Sequence, residues 1–335
     1  MKKRILIFLI YFLPIPVILV SLLIGPAQSV SPKSVLTFFL EFIRHSGIND
    51  SNSEFIRSVV IDVRLPRVLL AFLVGGAFSI SGCGLQAIFR NPLTDPYILG
   101  LSSGAAFGAA LALAYSLIPV QVSSFLFGLV AVGLSYFMAR KHKKVSVVSL
   151  ILAGIIVSGI FTALLTIVQF LTDPFKLQTI IHWTMGNLHN ANWTRFNSAA
   201  IPIMLGCVIL VLYRWRINVL SLGDDEAKTV GLNPDRDKLL VLFAATLASA
   251  SSVAVAGIIG LYGLIIPHMV RMMLGPDNRL NMPANFLFGG MFLLIIDDFS
   301  RALLSFEMPI GVFTILLGAP FFIYLMKKTQ IVWNH

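Results

Sequence analysis

The stretch LPRVLLAFLVGGAFSISGCGLQAIF, residues 65–89, decides the fold. Its 25 residues carry one charge, Arg67, and about 20 predominantly apolar residues suffice for a helix to cross the core of a bilayer. Working outward, comparable runs occupy 5–24, 97–116, 119–139, 146–171, 195–213, 237–257, 259–274, 281–303 and 308–326. The pattern predicts an all-α polytopic membrane protein of about ten transmembrane helices. Gly260, Gly263 and Pro267 interrupt the run at 259–274, and no polar loop parts it from 237–257. That pair has the least distinct boundary.

Composition agrees. The 335 residues are 57% hydrophobic and 12% charged, with a mean hydropathy of +0.88, whereas soluble domains carry about 25% charged residues. Soluble enzymes, disordered regulators and disulfide-stapled modules are excluded. The chain reads as a single transmembrane domain over 1–335, with a polar stretch at 26–63 that holds a short surface helix near 34–44. Its basic head, apolar run and Gly25-Pro26-Ala27 fit a cleaved signal peptide or a retained first helix, and the length of the run favours the helix. Pro14 and Pro16 are expected to kink it. Cys83 and Cys207 lie in separate apolar runs and read as packing residues.

The net charge of +10 would suggest nucleic acid in a soluble protein. Here it is a record of topology, since Lys and Arg accumulate in short cytoplasmic loops. With the N-terminus inside, 17 of the 25 basic residues fall on the inner side, including Lys2, Lys3, Arg4, Arg90, the 140–144 cluster, Arg271, Arg279, Lys327 and Lys328. Eight fall outside, among them Lys33, Arg44, Arg57, Arg64, Arg67 and Arg301. Both termini are then cytoplasmic, 26–63 is an outer loop and no nucleic-acid partner is expected.

Small residues recur every fourth position at Gly100, Gly104, Gly108, Ala112; at Gly154, Ser158, Thr162, Thr166; and at Ala244, Ala248, Ser252, Ala256. Such stripes let helix backbones approach closely in lipid. For Gly154, Ser158, Thr162 and Thr166, lining of a translocation path is a second reading. The chain has no GxxxxGK[ST], HExxH or GxSxG and no cluster at metal-ligand spacing. No catalytic, cofactor-binding or metal residue is assigned. His182 and His189 read as loop histidines, with a metal or haem ligand as the alternative. Asp297 and Asp298 lie three or four residues before Arg301, so they form either a local ion pair or an ion-coupling site.

The motifs resemble the FecCD-type permease subunits of ABC importers for iron–siderophores, haem and cobalamin. The resemblance runs from about residue 60 to 328. It rests on Arg64-Leu-Pro-Arg67, Gly75-Gly76, Ser81-Gly82-Cys83-Gly84-Leu85-Gln86 and Arg90-Asn91-Pro92-Leu93, then on Leu220-Ser-Leu-Gly223 with Ala227 and Gly231-Leu232. Gly263-Leu-Ile-Ile-Pro267-His268, then Asp298 with Arg301, Met308-Pro309-Ile310-Gly311 and Leu317-Gly318-Ala319-Pro320 follow in order. It implies a ten-helix permease of the cytoplasmic membrane, usually a homodimer. Two cytoplasmic ATPases, which carry ATP and Mg, and an extracytoplasmic binding protein would complete the importer.

Residue by residue, the resemblance implies an ATPase-coupling segment at Leu220, Ser221, Leu222, Gly223, Asp224, Asp225, Glu226, Ala227, Gly231 and Leu232, within a cytoplasmic loop at 216–236. The acids suit the start of a helix and Gly231 its end; a solvent-exposed helix without a partner is the alternative. Arg64, Arg67 and Arg301 match arginines that dock on carboxylates of the binding protein. The alternative is internal pairing, Arg301 with Asp297 or Asp298 and Arg64 with Asp62. Arg90-Asn91-Pro92-Leu93 and Pro267-His268 sit at cytoplasmic helix ends, holding inner loops or simply forming turns. Segment 172–193 resembles an outer-gate helix. The expected cargo is a metal chelate, ferric siderophore first, with cobalamin, haem and molybdate or tungstate open. An ion-coupled secondary transporter is the competing class.

Overall fold

The computed structural model describes residues 2–25, 30–43, 51–141, 144–303 and 307–329. Pro26, Ala27, Arg44, His142 and Lys143 lie outside the described residues. The helices are α1 (Lys2–Phe12), α2 (Pro14–Leu23), α3 (Pro32–Ile43), α4 (Ser51–Ser58), α5 (Leu65–Phe89), α6 (Leu101–Tyr115), α7 (Val120–Ala139) and α8 (Val147–Leu171). Then come α9 (Pro174–Thr184), α10 (Trp193–Leu212), α11 (Arg214–Leu220), α12 (Asp224–Thr229), α13 (Pro234–Ala256), α14 (Tyr262–Leu274), α15 (Asn278–Ala302) and α16 (Ile310–Thr329). A two-residue antiparallel ladder pairs Arg140–Lys141 with Lys144–Val145.

Every apolar run read from the sequence falls on a helix. Among the described residues, seven helical segments are long and apolar enough to cross a membrane, while α6 and the apolar part of α16 are shorter. Side-chain oxygens start several of them: Ser146, Asp173, Asn192, Asn233 and Asp277 each accept a backbone N–H of the first turn, as Asp95 does for a 3-10 turn at Pro96–Leu99, which satisfies donors that a helix leaves unpaired.

The boundary at 63 is corrected. Residues Val59–Arg64 form a π-helical turn that joins α4 to α5, so helix continues from Ser51 to Phe89. Pro66 is the physical reason, because its ring crowds the carbonyl four residues back and favours a wider turn. In that wider register the Ile61 carbonyl would pair with the N–H of residue 66, which proline lacks. The indole of Trp193 on α10 donates to it instead, at 3.0 Å.

The buried α5 is the centre of the bundle and packs against α15, α13, α10 and α14. Close approach replaces large side chains there. A Cβ on Gly82 would lie 1.8 Å from the Gly263 carbonyl oxygen, and one on Gly75 would lie 2.5 Å from that of Gly289. Pro267 leaves the Gly263 carbonyl without its helical donor, and buried Gln86 donates to Gly263 and Leu264 at 3.4 and 3.3 Å. Arg271 closes the brace by donating to Gln86 Oε1 at 3.1 Å.

The stripe from Gly100 to Ala112 is buried, with Gly104 and Gly108 against α7, and the stripe from Ala244 to Ala256 is buried with Ala244 and Ala248 against Gly206 of α10. Gly82→Ala should therefore force α5 and α14 apart and lower stability by about 1–3 kcal/mol. Gly133, whose added Cβ would meet nothing within 4 Å, should gain slightly on replacement by Ala. Thermal unfolding of both variants in detergent checks the contrast.

Candidate functional site

Two polar regions lie at opposite ends of α5. At its C-terminal end, α11 leads through a tight elbow into α12. Leu220 and Ala227 are fully buried and anchor the elbow, while Leu222 is 70% exposed at its tip. The helix starts at Asp224, and Gly231 closes it with a positive φ of 80° and an N–H to the Lys228 carbonyl, while Leu232 bonds back to Ala227. These are the start and end that the acids and Gly231 predicted. Ser221 Oγ donates to the Asn218 carbonyl at 2.7 Å.

Asp224 faces the bundle. Its two oxygens accept from Lys238 Nζ of α13 at 2.6 and 2.7 Å, and Oδ1 accepts from Arg90 Nη2 at 3.2 Å. Asp225 pairs with Lys228 of its own helix at 2.8 Å, which raises the Lys228 ammonium above its ordinary range through the hydrogen bond and charge. A cavity of about 360 Å³ beside α12 is lined by Phe89, Tyr136, Asp224, Asp225, Lys228 and Lys238 among others. Asn218 of α11 donates to Asp277 at 3.1 Å and accepts the Asn278 N–H at 2.9 Å, tying the elbow to the start of α15. Burial pushes the Asp277 carboxyl up, but its bonds from Arg279 and Asn218 outweigh that and hold it below the usual range.

At the opposite end the three arginines expected to form a docking rim are buried. Arg67 grips Asp297 with Nε and Nη2, the latter at 2.8 Å, and its Nη1 donates to Glu307 at 2.9 Å. Arg301 Nε lies 3.2 Å from Asp297 Oδ2, within reach of the charge but not aligned as a hydrogen bond. Arg301 also pairs with Asp298, which accepts from Ser21 Oγ at 2.5 Å. Arg64 ignores Asp62, which accepts from Ser58, and donates to the carbonyls of Leu22, Leu23 and Val30 at 3.0, 3.1 and 3.2 Å. Arg301 donates to those of Ile24 and Ser21 at 3.0 and 3.4 Å.

An exposed arginine rim is thus corrected to internal pairing. The reason is supply: the C-terminal carbonyls of α2 lack helical donors, three carboxylates converge there, and desolvated guanidiniums need both. Arg64, Arg67 and Arg301 balance Asp297, Asp298 and Glu307 in formal charge. Glu307 and the carbonyls of α2 were missed in the sequence. Glu307 is signalled there only as an acid beside Met308-Pro309.

Gly154 follows the packing reading of its stripe and not the path reading. A Cβ on it would lie 2.0 Å from the Ile98 carbonyl oxygen, so it serves packing and cannot line a path. Ser158 is half-buried, and Thr162 and Thr166 are exposed on α8 with Ile155, Ile156 and Ile160. The His182 and His189 rings are tilted 55° to each other with centroids 5.3 Å apart, and His189 Nδ1 lies 3.4 Å from Glu307. Burial lowers the His189 imidazole despite that carboxylate. Among the described residues no group of three or more His, Cys, Asp or Glu is placed to hold a metal ion.

Comparison with known proteins adds the family context. The model of the FecCD transport family matches residues 10–328. The molybdate import system permease protein of Haemophilus influenzae is 40% identical over 277 residues, 82% of each chain. A probable iron chelatin transport system permease protein of Helicobacter pylori is 39% identical over 272 residues, 81% of this chain and 83% of that one. An inward-facing metal-chelate type ABC transporter superposes with a TM-score of 0.84 at 35% identity, over 96% of this chain and 98% of that one.

Asp297 is fully buried between Arg67 and Arg301 while Glu307 keeps 25% side-chain exposure. Asp297→Asn should cost about 3–5 kcal/mol, the penalty for stranding a buried charge. Glu307→Gln should cost under about 1 kcal/mol, as for a partly solvated pair. Parallel thermal unfolding in detergent gives the ranking, and equal losses would contradict a desolvated cluster.

Proposed function

The chain belongs to the FecCD transport family, and on that premise we propose how its residues serve a binding-protein-dependent ABC importer. It is a permease subunit of that importer type and an integral protein of the cytoplasmic membrane. In the proposed assembly one transmembrane domain, 1–335, crosses the bilayer ten times with both termini in the cytoplasm. Lys3 and Leu222 line one cavity, which supports an N-terminus on the same side as the elbow.

Two copies would meet along a central path, with two ATPases beneath and a binding protein above. Nucleotide and Mg would bind the ATPases and no cofactor this chain. The observation that carries the coupling role is the elbow itself: a buried root at Leu220 and Ala227 and an apolar tip at Leu222 and Val230, which are 70% and 55% exposed. Exposed apolar residues flanking a short, rigidly rooted helix suit a groove on another chain. Residues 220–227 with Gly231 and Leu232 form this coupling segment, and ATP-driven closure of the ATPases would displace it.

At the other end the binding protein would dock over the Arg67 cluster. Arg64, Arg67 and Arg301 would act by ordering the end of α2, the π turn and the segment at Glu307. Ser158, Thr162 and Thr166 would face the path, supported by the exposure of most of the α8 surface. Ferric siderophore is the first choice of cargo, supported by the iron chelatin relative and the metal-chelate neighbour. The molybdate relative, at 40% identity, supports an oxyanion as the second reading.

Reconstituted with the ATPase and binding protein of neighbouring genes, the permease should show ATP hydrolysis stimulated by loaded binding protein. Uptake that survives ATP depletion but collapses with an uncoupler would instead favour a secondary transporter. Leu222→Asp should abolish copurification of the ATPase while leaving thermal stability within about 0.5 kcal/mol, as for exposed sites. Calorimetry of the binding protein with ferric siderophore and with molybdate separates the two cargo readings.

A further inference from the structure

Arg90 is a backbone outlier. It follows the last residue of α5 in a left-handed conformation, φ 51° and ψ 35°, which is strained for a residue with a Cβ and free for glycine. Helices that close this way commonly use glycine or asparagine. An arginine there points to a use for its side chain, and the guanidinium reaches Asp224 at 3.2 Å. The turn is not slack: Arg90 N–H bonds the Ala87 carbonyl at 3.3 Å and Asn91 N–H bonds that of Gln86 at 3.1 Å. A pull on the guanidinium therefore acts on the end of α5.

The acids of α12 are not equivalent. The helix dipole favours all three in the first turn but does not explain why Asp224 is bonded outside its helix. The Asp225 side chain is 92% exposed beside Lys228, whereas Asp224 is turned back onto Arg90 and Lys238. α5 is buried along nearly all its length, spans about 37 Å as a helix of this size, and carries Arg67 near its other end.

We propose that the Asp224–Arg90 pair is the link through which displacement of α12 reaches α5, with Lys238 as a parallel link to α13. Arg90 is thus a positioning residue for transport. This rests on the reading of 220–232 as the coupling segment. A rigid, buried helix then carries the displacement from the elbow toward the charged cluster around Arg67.

The test uses the full importer in liposomes, with Arg90→Gly and Arg90→Lys permeases. Arg90→Gly relieves the backbone strain, so thermal stability should be kept or raised and the ATPase should still copurify. Uptake per ATP hydrolysed should fall about fivefold or more, the lower end of typical coupling between sites. Arg90→Lys, which keeps a cation within reach of Asp224, should recover at least about half of the wild-type ratio. Wild-type uptake per ATP in Arg90→Gly overturns the link, and loss of the ATPase from that variant overturns it by making Arg90 part of the dock. Failure of the coupling reading appears elsewhere, as ATPase retained on Leu222→Asp.

Discussion

The structure depends on one constraint: carbonyls freed where helices break inside an apolar bundle must find donors from side chains. Lipid offers none, so each orphan costs free energy unless protein supplies the bond. Pro66 frees Ile61, and Trp193 answers it. Pro267 frees Gly263, and Gln86 answers it. The end of α2 leaves the Leu22, Leu23 and Ile24 carbonyls without helical donors, and Arg64 and Arg301 answer them. Lys176 of α9 does the same for Ala114 near the end of α6, at 2.6 Å. Each answer joins two elements distant in sequence, so satisfying the backbone also assembles the bundle.

This explains why arginine recurs at one end. A planar guanidinium has five donors in a fixed fork and can serve a carboxylate and a helix end together. Arg67 joins α5, α15 and the segment before α16 through Asp297 and Glu307. Arg301 joins α15 to α2. Buried ion pairs add little net stability compared with apolar packing but are costly to break singly. The cluster therefore specifies one arrangement of these helix ends more than it strengthens the fold.

Function follows from placing unlike ends on one shaft. The Arg67 end is buried, ion-paired and charge-balanced, whereas the α12 end is open, half-solvated and tipped with Leu222. A segment rooted by Leu220 and Ala227 moves as a body, and its ionic bonds to Arg90 and Lys238 lie at the boundary between elbow and bundle. Packing by close backbone contact, as at Gly82 with Gly263, leaves little slack for such displacement to dissipate.

Much was legible in the sequence. Apolar run length is a local property, so the all-helical architecture, the α12 start at Asp224 and its end near Gly231 could be read directly. Repeats of small residues foretold the faces of α6 and α13, because a four-residue step stays on one side of a helix. The fate of Arg64, Arg67, Arg301 and Gly154 was not legible. Whether an arginine meets a partner protein or the chain's own carbonyls and carboxylates depends on contacts distant in sequence, 42 residues for Arg64 with Leu22 and 230 for Arg67 with Asp297. The sequence by itself determined that the chain is a helical membrane permease of this family. Tertiary structure alone decided which charges are spoken for, because burial and bond direction arise only when the helix ends meet.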